Sequence, residues 1–176
     1  MRSSKALFGA VRLDFRAMYV HICTYNPEVD RNVQKPNISF DASASAASLG
    51  DRAKRKVFSG PAIKAFVRMM DEWEIAVADR CAMLGDIPRT TYHKWARGDV
   101  SALSRDQLER IGIVLGVYKG LQLLFADAAG LQRWLKSKNQ DYAFAGLSPA
   151  ERMSQGGMTD LYAVRQYVDA LRGASA

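Results

Sequence analysis

Cysteine and histidine are scarce in this sequence, which has two of each in 176 residues. Cys23 and Cys81 lie far apart, and neither belongs to a CxxC pair or to a Cys/His cluster with ligand spacing. The sequence therefore supports neither a disulfide framework nor a zinc site, and we expect a reduced, cytoplasmic protein without a metal or a cofactor. His21 and His93 have no neighbouring ligand partners, so exposed imidazoles are the favoured interpretation of both.

Apolar runs long enough to cross a membrane or to form a signal-peptide core are also lacking. The most apolar window, Ile111–Leu131, contains Lys119 and Asp127, and a bilayer span would bury both charges in hydrocarbon. Near the N-terminus, Arg12 and Asp14 interrupt the apolar residues too early for a signal peptide. We expect the window to be a buried helix, and we expect neither secretion nor a membrane partner.

Motifs of the common enzymatic chemistries are missing as well. The sequence contains no phosphate-binding loop, no paired nucleophile and base, and no glycine fingerprint that follows a strand. Gly112, Gly116 and Gly120 recur every four residues, but they fall within a predicted helix, where each costs about 1 kcal/mol relative to alanine. Two interpretations of this spacing are open: a second helix packs on the glycine face, or the helix breaks near Gly116. An enzyme is the weakest functional hypothesis.

The net charge of +7 is concentrated near the N-terminus. Residues 1–59 carry ten Lys/Arg and five Asp/Glu, residues 60–126 carry nine and eight, and residues 127–176 carry six and five. A basic tail is often only a solubilising segment, so the pI of about 9.6 does not by itself indicate nucleic-acid binding. Because residues 37–51 have a Ser/Ala-rich linker composition, we expect residues 1–58 to form a poorly ordered basic arm or extension.

Helical periodicity begins after Ser59 and continues to the end of the chain. No segment in this part alternates as a strand does, so the sequence predicts an all-α fold. Pro61 suits a first helical turn, and Ser104 marks another start because its side chain and that of Gln107 can satisfy each other's backbone donors. Four predicted helices have both ends marked and cover residues 75–84, 88–98, 131–139 and 159–173. Three others have a marked start only, at residues 61, 104 and 148.

The second and third predicted helices, joined by a turn that contains Gly85, have the outline of a helix-turn-helix. The third, PRTTYHKWARG, combines basic side chains with two threonines, which are types that contact base edges and phosphates in a major groove. Tyr92 suits the core and a phosphate contact equally, and Trp95 is expected to face inward. From composition alone, an ordinary solvated helix is an alternative of similar weight. The candidate DNA-binding residues are Arg89, Thr90, Thr91, Tyr92, His93, Lys94 and Arg97.

Five blocks follow one another from about Val57 to the C-terminus. They are LGDIPRTTYHKWARG, LSRDQLERIGIVLGVYKGLQLLF, WLKSKN, FAGLSPAERM and GMTDLYAVRQYVDALRG. In this order they resemble the Xre-type antitoxins of the Xre/MbcA/ParS group, and the tail pattern W-L-x-x-x-N, F-x-G-x-S-P and L-Y-A-V-R-x-Y-x-D-A-x-R-G is specific. Two features depart from the family: residues 1–56 have no counterpart, and Ala150 stands where members commonly carry a larger apolar residue.

The resemblance implies a protein with two binding functions and no chemistry of its own. Residues 59–126 would form a helix-turn-helix domain that binds the operator of the protein's own operon. Residues 127–176 would form a small helical domain that binds a cognate RES-domain toxin, a class that depletes NAD, and blocks access to its active site. Because operators are usually read by symmetric dimers, a homodimer is expected. A stand-alone transcriptional regulator whose C-terminal region only dimerises is the alternative.

The C-terminal motif residues divide between those that hold the fold and those that contact the toxin. The matching positions are Trp134, Asn139, Phe144, Gly146, Ser148, Pro149, Leu161, Tyr162, Val164, Arg165, Tyr167, Asp169 and Arg172. Trp134, Phe144, Leu161, Val164 and Leu171 suit the core, and Ser148 and Pro149 suit a helix start. Tyrosine and arginine dominate interface energetics and a chain end can enter a cleft, although Asp169 alone could also satisfy Arg165 and Arg172. The toxin-binding residues implied by the resemblance are Arg165, Tyr167, Asp169, Leu171, Arg172, Gly173, Ala174, Ser175 and Ala176.

Overall fold

The computed structural model describes residues 51–173, and this part of the chain is helical without any strand. The all-α prediction is therefore confirmed. Within these residues none of the helices is long and apolar enough to span a membrane. The helices are α1 (Arg52–Glu72), α2 (Val77–Met83), α3 (Arg89–Ala96), α4 (Arg105–Leu124), α5 (Ala128–Lys136), α6 (Pro149–Met153) and α7 (Met158–Gly173).

Helix α1 begins earlier than its apolar periodicity predicts. The side chain of Asp51 accepts a hydrogen bond from the backbone N–H of Ala53 (2.8 Å) and caps the helix there. Pro61 consequently lies inside α1 instead of in its first turn. The expectation that residues 52–58 belong to a poorly ordered arm is wrong, because these residues form the first turns of α1. Those turns bury few side chains, so they give no apolar periodicity in the sequence. Residues 1–50 lie outside the described part of the chain.

Helix α4 is the central element, because it packs against both α1 and α7. Its N-terminus has the predicted capping box, in which Ser104 and Gln107 satisfy each other's backbone N–H groups. Buried side chains occur all along this helix, including Leu108, Val114 and Leu121. The prediction that the most apolar window, Ile111–Leu131, forms a buried helix is confirmed as far as Leu124, where α4 ends. The rest of the window is wrong as a continuation of that helix, because the chain leaves the helix at Phe125 and Asp127 caps a separate helix, α5.

The glycines of α4 give α7 room to approach. A Cβ placed on Gly116 would overlap Nη1 of Arg165, and one placed on Gly120 would overlap Cγ1 of Val168. At Gly112 a Cβ would meet nothing within 4 Å. The helix is continuous, so the packing interpretation is confirmed at two of the three glycines and the broken-helix alternative is wrong.

The C-terminal helices bury an aromatic cluster. Trp134 and Phe144 pack edge to face with ring centroids 6.1 Å apart, and Phe144 and Tyr167 do so at 4.7 Å. Leu161 and Val164 of α7 are fully buried, as predicted. The predicted start of α6 is confirmed, since Ser148 caps it and Pro149 is its first residue. The predicted range of helix α5 was three residues too far towards the C-terminus. The helix begins earlier because Asp127 caps it by accepting a hydrogen bond from the N–H of Gly130 (2.6 Å).

Candidate functional site

Helices α2 and α3 form a compact helix-turn-helix. Gly85 (φ 88°) and Asp86 (φ 56°) adopt left-handed conformations between them, and glycine reaches such angles without the steric cost of a side chain. The N–H of Ile87 returns to the carbonyl oxygen of Cys81 (3.2 Å), which closes the turn, and Ile87 is buried beneath it. The turn thus fixes the angle at which α3 leaves α2.

Arg80 of α2 anchors this helix pair to the C-terminal end of α1. Its guanidinium donates to the carbonyl oxygens of Ile75 (2.6 Å) and Met70 (3.1 Å). It also donates to the carboxylate of Asp71 (2.6 Å) and to the hydroxyl of Tyr92 in α3 (2.9 Å). One side chain therefore positions α3 relative to the rest of the fold.

The side of α3 that faces away from the core carries most of the predicted DNA-binding residues. Arg89, Thr90, His93, Lys94 and Arg97 are exposed, and Thr91 is half-buried. Among residues 51–173, no carboxylate forms an ion pair with the three Lys/Arg side chains of this group. The face is therefore a cationic surface without internal neutralisation, which suits a polyanion.

Two aromatic residues of α3 face the opposite way. Trp95 is buried, as predicted. Tyr92 is only 3 % exposed and its hydroxyl accepts the hydrogen bond from Arg80, so its assignment to the DNA-binding residues is wrong. Its place one turn before Trp95 along the helix puts it on the core side. The choice between core and phosphate depended on which face packs against α1, and composition does not carry that information.

The second candidate surface is formed by the C-terminal half of α7. Nε of Arg165 donates to Asp169 (2.6 Å), and Nη1 of Arg172 lies 3.4 Å from the other oxygen of the same carboxylate. The guanidinium of Arg165 also lies over Gly116 of α4. The alternative in which Asp169 satisfies both arginines thus matches the geometry, and toxin contact by these three residues stays a prediction.

Tyr167 lies on another side of α7, against the loop that precedes α6. Its hydroxyl donates to Asp141 (2.5 Å), and burial together with this hydrogen bond raises the pKa of Tyr167 to about 12. Leu171 is half-buried and Gly173 is exposed. The remaining predicted toxin-binding residues, Ala174, Ser175 and Ala176, lie outside the described part of the chain.

Three apolar or aromatic side chains are also exposed in the C-terminal part of the described chain. Leu123 of α4 is 71 % exposed, three residues after the Gly120 against which Arg172 packs. Tyr162, at the N-terminal end of α7, is half-exposed, and Tyr142 is 95 % exposed. The sequence analysis missed Leu123. Four of the five residues in the segment LQLLF are apolar, so the sequence does not show which of them face solvent.

The loop that carries Tyr142 is held in place by its own backbone. The N–H of Asn139 donates to Leu147 (3.1 Å), and the N–H of Gly146 donates back to Asn139 (3.0 Å). The side chain of Asn139 accepts from the N–H of Asp141 (2.9 Å). Tyr142 is therefore presented on a closed turn. Within residues 51–173 no cluster of three or more His, Cys, Asp or Glu side chains is arranged to hold a metal ion.

Comparison with known proteins assigns both halves of the described chain to domain families. Residues 53–114 match the antitoxin Xre-like helix-turn-helix domain. Residues 120–174 match the antitoxin Xre/MbcA/ParS C-terminal toxin-binding domain. The uncharacterized protein y4oB of Sinorhizobium fredii is 36 % identical over 111 residues, which cover 63 % of this chain and 84 % of that protein.

Proposed function

Because this chain belongs to the Xre/MbcA/ParS family of antitoxins, we propose that it neutralises a RES-domain toxin by blocking the toxin's active site and represses its own operon through α3. One observation carries the proposal: a helix-turn-helix and a toxin-binding domain are built around the same helix, α4, in one chain. The protein acts by binding alone, in the cytoplasm, and associates with the nucleoid when it occupies its operator.

The repressor function uses the outer face of α3. In a major groove, the N-terminal residues of a recognition helix contact base edges, which places Arg89, Thr90 and Thr91 nearest the bases. His93 and Lys94 follow one turn later, and Arg97 reaches the backbone beyond them. Arginine reads guanine through two hydrogen bonds, and a threonine methyl packs on thymine. Because one such helix covers few base pairs, the protein binds its operator as a homodimer.

The antitoxin function uses the C-terminal surface. In this proposal the toxin contacts exposed Leu123 of α4, Arg172 near the end of α7 and the last residues of the chain. Arginine and tyrosine are enriched among the residues that dominate protein interfaces. Occupation of the cleft denies NAD access to the toxin's active site, so neutralisation needs no catalytic group on the antitoxin.

The two functions are tested by the double variant Arg89→Ala, Lys94→Ala. DNA from upstream of the protein's own reading frame should bind the variant at least about 5- to 150-fold more weakly, the equivalent of about 1–3 kcal/mol for a lost base contact. Rescue of cells from a RES-domain toxin encoded in the adjoining frame, and co-purification with it, should not change. Electrophoretic mobility shift and a co-expression growth assay are the measurements.

The matched control is Arg133→Ala, Lys138→Ala, which removes two exposed cations from the other half of the described chain. It should leave DNA affinity unaltered. If no adjoining RES-domain toxin is neutralised or co-purified, the antitoxin proposal is wrong and a stand-alone regulator that uses its C-terminal region for dimerisation takes its place. If the α3 double variant loses neutralisation and keeps DNA affinity, the proposed assignment of DNA binding to α3 and of toxin binding to the C-terminal surface is wrong.

A further inference from the structure

Helix α1 carries a cationic surface that neither binding function described above uses. Between residues 52 and 70 the chain has six Lys/Arg and no Asp/Glu. Arg52 and Lys56 are exposed and lie on one side of the helix, since residues four apart share a face. Among residues 51–173, no carboxylate pairs with either of them. We call Arg52 and Lys56 the α1 basic pair.

The stability of α1 does not account for this pair. Cations at a helix N-terminus oppose the helix dipole, and like charges four residues apart repel each other. The first turn contains no acidic residue that would offset them, and the carboxylate of Asp51 is used as the cap. An arrangement that disfavours the isolated helix points to a role in binding.

The chain segment that follows α3 reaches the half of α1 that carries the α1 basic pair. At one end of α1, Arg80 joins Met70 and Asp71 to α3 through Tyr92. At the other end, the loop that follows α3 is attached to α1, because the N–H of Leu103 donates to the hydroxyl of Ser59 (2.9 Å). The segment that leaves the C-terminal end of α3 therefore ends on the N-terminal half of α1.

The same hydrogen bond defines the side of α1 on which the pair stands. Residues 52, 56 and 59 follow the spacing i, i+4, i+7, which places Arg52 and Lys56 on the face of Ser59 that holds Leu103. Nε of Arg55 reinforces this attachment by donating to the carbonyl oxygen of Leu103 (3.1 Å). At about 1.5 Å per residue, Arg52 is about 10 Å along the helix from Ser59.

We propose that Arg52 and Lys56 bind the DNA phosphate backbone that flanks the groove entered by α3. The inference rests on the proposed DNA-binding function and extends the contact beyond the helix-turn-helix. The major groove is about 12 Å wide, so a recognition helix that lies in it points its end at a phosphate strand. In this proposal Arg52 and Lys56 contact the phosphates of that DNA strand. Their contribution is affinity without sequence preference, because phosphates carry no base information.

The test compares two charge-matched variants of the full chain. The first is Arg52→Gln, Lys56→Gln. The control is Lys54→Gln, Arg68→Gln, which also removes one lysine and one arginine from exposed positions of α1. Lys54 and Arg68 are about 140° and 180° around the helix from Ser59. Affinity is measured across a salt series with two probes, a duplex from upstream of the reading frame and a scrambled duplex of the same composition.

For the wild type and the control we expect the same slope of log affinity against log salt concentration. The Arg52→Gln, Lys56→Gln variant should have a slope smaller by about 1 for each lost phosphate contact, on both duplexes. Between about 50 and 200 mM salt, the wild type should lose roughly tenfold more affinity than this variant.

Equal slopes for the two variants would overturn the inference. The proposed operator binding is judged separately, from the preference of the wild type for the upstream duplex over the scrambled one. If that preference is missing, operator binding fails while the slope on the scrambled duplex still decides the role of the α1 basic pair. If the wild type binds neither duplex, both are wrong.

Discussion

Arg80 joins three parts of the described chain through a single guanidinium. Its contacts are to α1, to the segment between α1 and α2, and to Tyr92 of α3. Burial opposes the charge, but the hydrogen bonds to Tyr92 and Asp71 outweigh burial and raise the pKa of Arg80 above its ordinary value. The residue is therefore structural, although an arginine in a helix-turn-helix is readily taken for a DNA contact.

Replacement of Arg80 by methionine should destabilise the fold by about 2–4 kcal/mol, because it leaves partly buried acceptors without donors. The measurement is urea denaturation followed by helicity. Arg105→Met is the control: its ion pair with Glu109 is on the surface, with side chains 57 % and 36 % exposed, and it should cost no more than about 0.5 kcal/mol. Similar losses for the two variants would show that Arg80 does not hold the helices together.

At the scale of elements, the contact between α4 and α7 depends on glycines of α4, which have no side chain. The two helices run in the same direction, since Arg110 bonds to Gly156 (2.7 Å), Gly116 meets Arg165 and Gly120 meets Val168. Gly120 faces a buried, β-branched side chain that has little freedom to move aside. Gly116 faces the end of an arginine, which can turn away. The three glycines are thus alike in the sequence and different in the fold.

Alanine at Gly120 and alanine at Gly112 should have opposite effects on stability. At Gly120 the added methyl forces α4 and α7 apart, and overpacking of about 1–3 kcal/mol exceeds the gain in helix propensity. At Gly112 there is open space, so alanine should stabilise by up to about 1 kcal/mol. Thermal unfolding of the two variants gives the signs. A shift of Tm in the same direction for both would contradict the packing derived for Gly120.

The elements that sequence patterns predicted well are those with strong start signals and one apolar face. Ser104 with Gln107, and Ser148 with Pro149, were located to the residue. The starts of α1 and α5 were missed, because in both a single aspartate, Asp51 or Asp127, caps a first turn that buries little or nothing apolar. Periodicity detects buried faces, and it is insensitive to a helical turn that lies in solvent.

At the scale of the molecule, the two proposed binding surfaces share one supporting helix. α4 belongs in part to each matched domain, 53–114 and 120–174, and it contacts α1 on one side and α7 on another. The two domains are therefore mechanically coupled through a common core, in which Leu161, Val164 and Val168 of α7 are fully buried. We therefore expect point variants to separate the two proposed functions more cleanly than deletions do.

A chain truncated after Phe125 should lose its cooperative thermal transition. Burial of each of Leu161, Val164 and Val168 is worth about 1.5–3 kcal/mol, and their sum approaches the whole stability of a typical domain, about 5–15 kcal/mol. Circular dichroism during heating is the measurement. Co-expression of residues 126–176 as a separate chain should restore the transition. A truncated chain that melts cooperatively at the Tm of the full protein would disprove the coupling.

The sequence by itself determined the all-α class, the helix-turn-helix outline, the inward direction of Trp95 and the family, because these depend on local periodicity, caps and ordered motifs. Only the tertiary structure decided that Tyr92 is buried, that Gly120 is a packing contact and Gly112 is not, and that Leu123 is exposed. Each of those outcomes depends on which neighbouring helix covers a given face. That information resides in contacts between residues far apart in the chain, which local patterns do not contain.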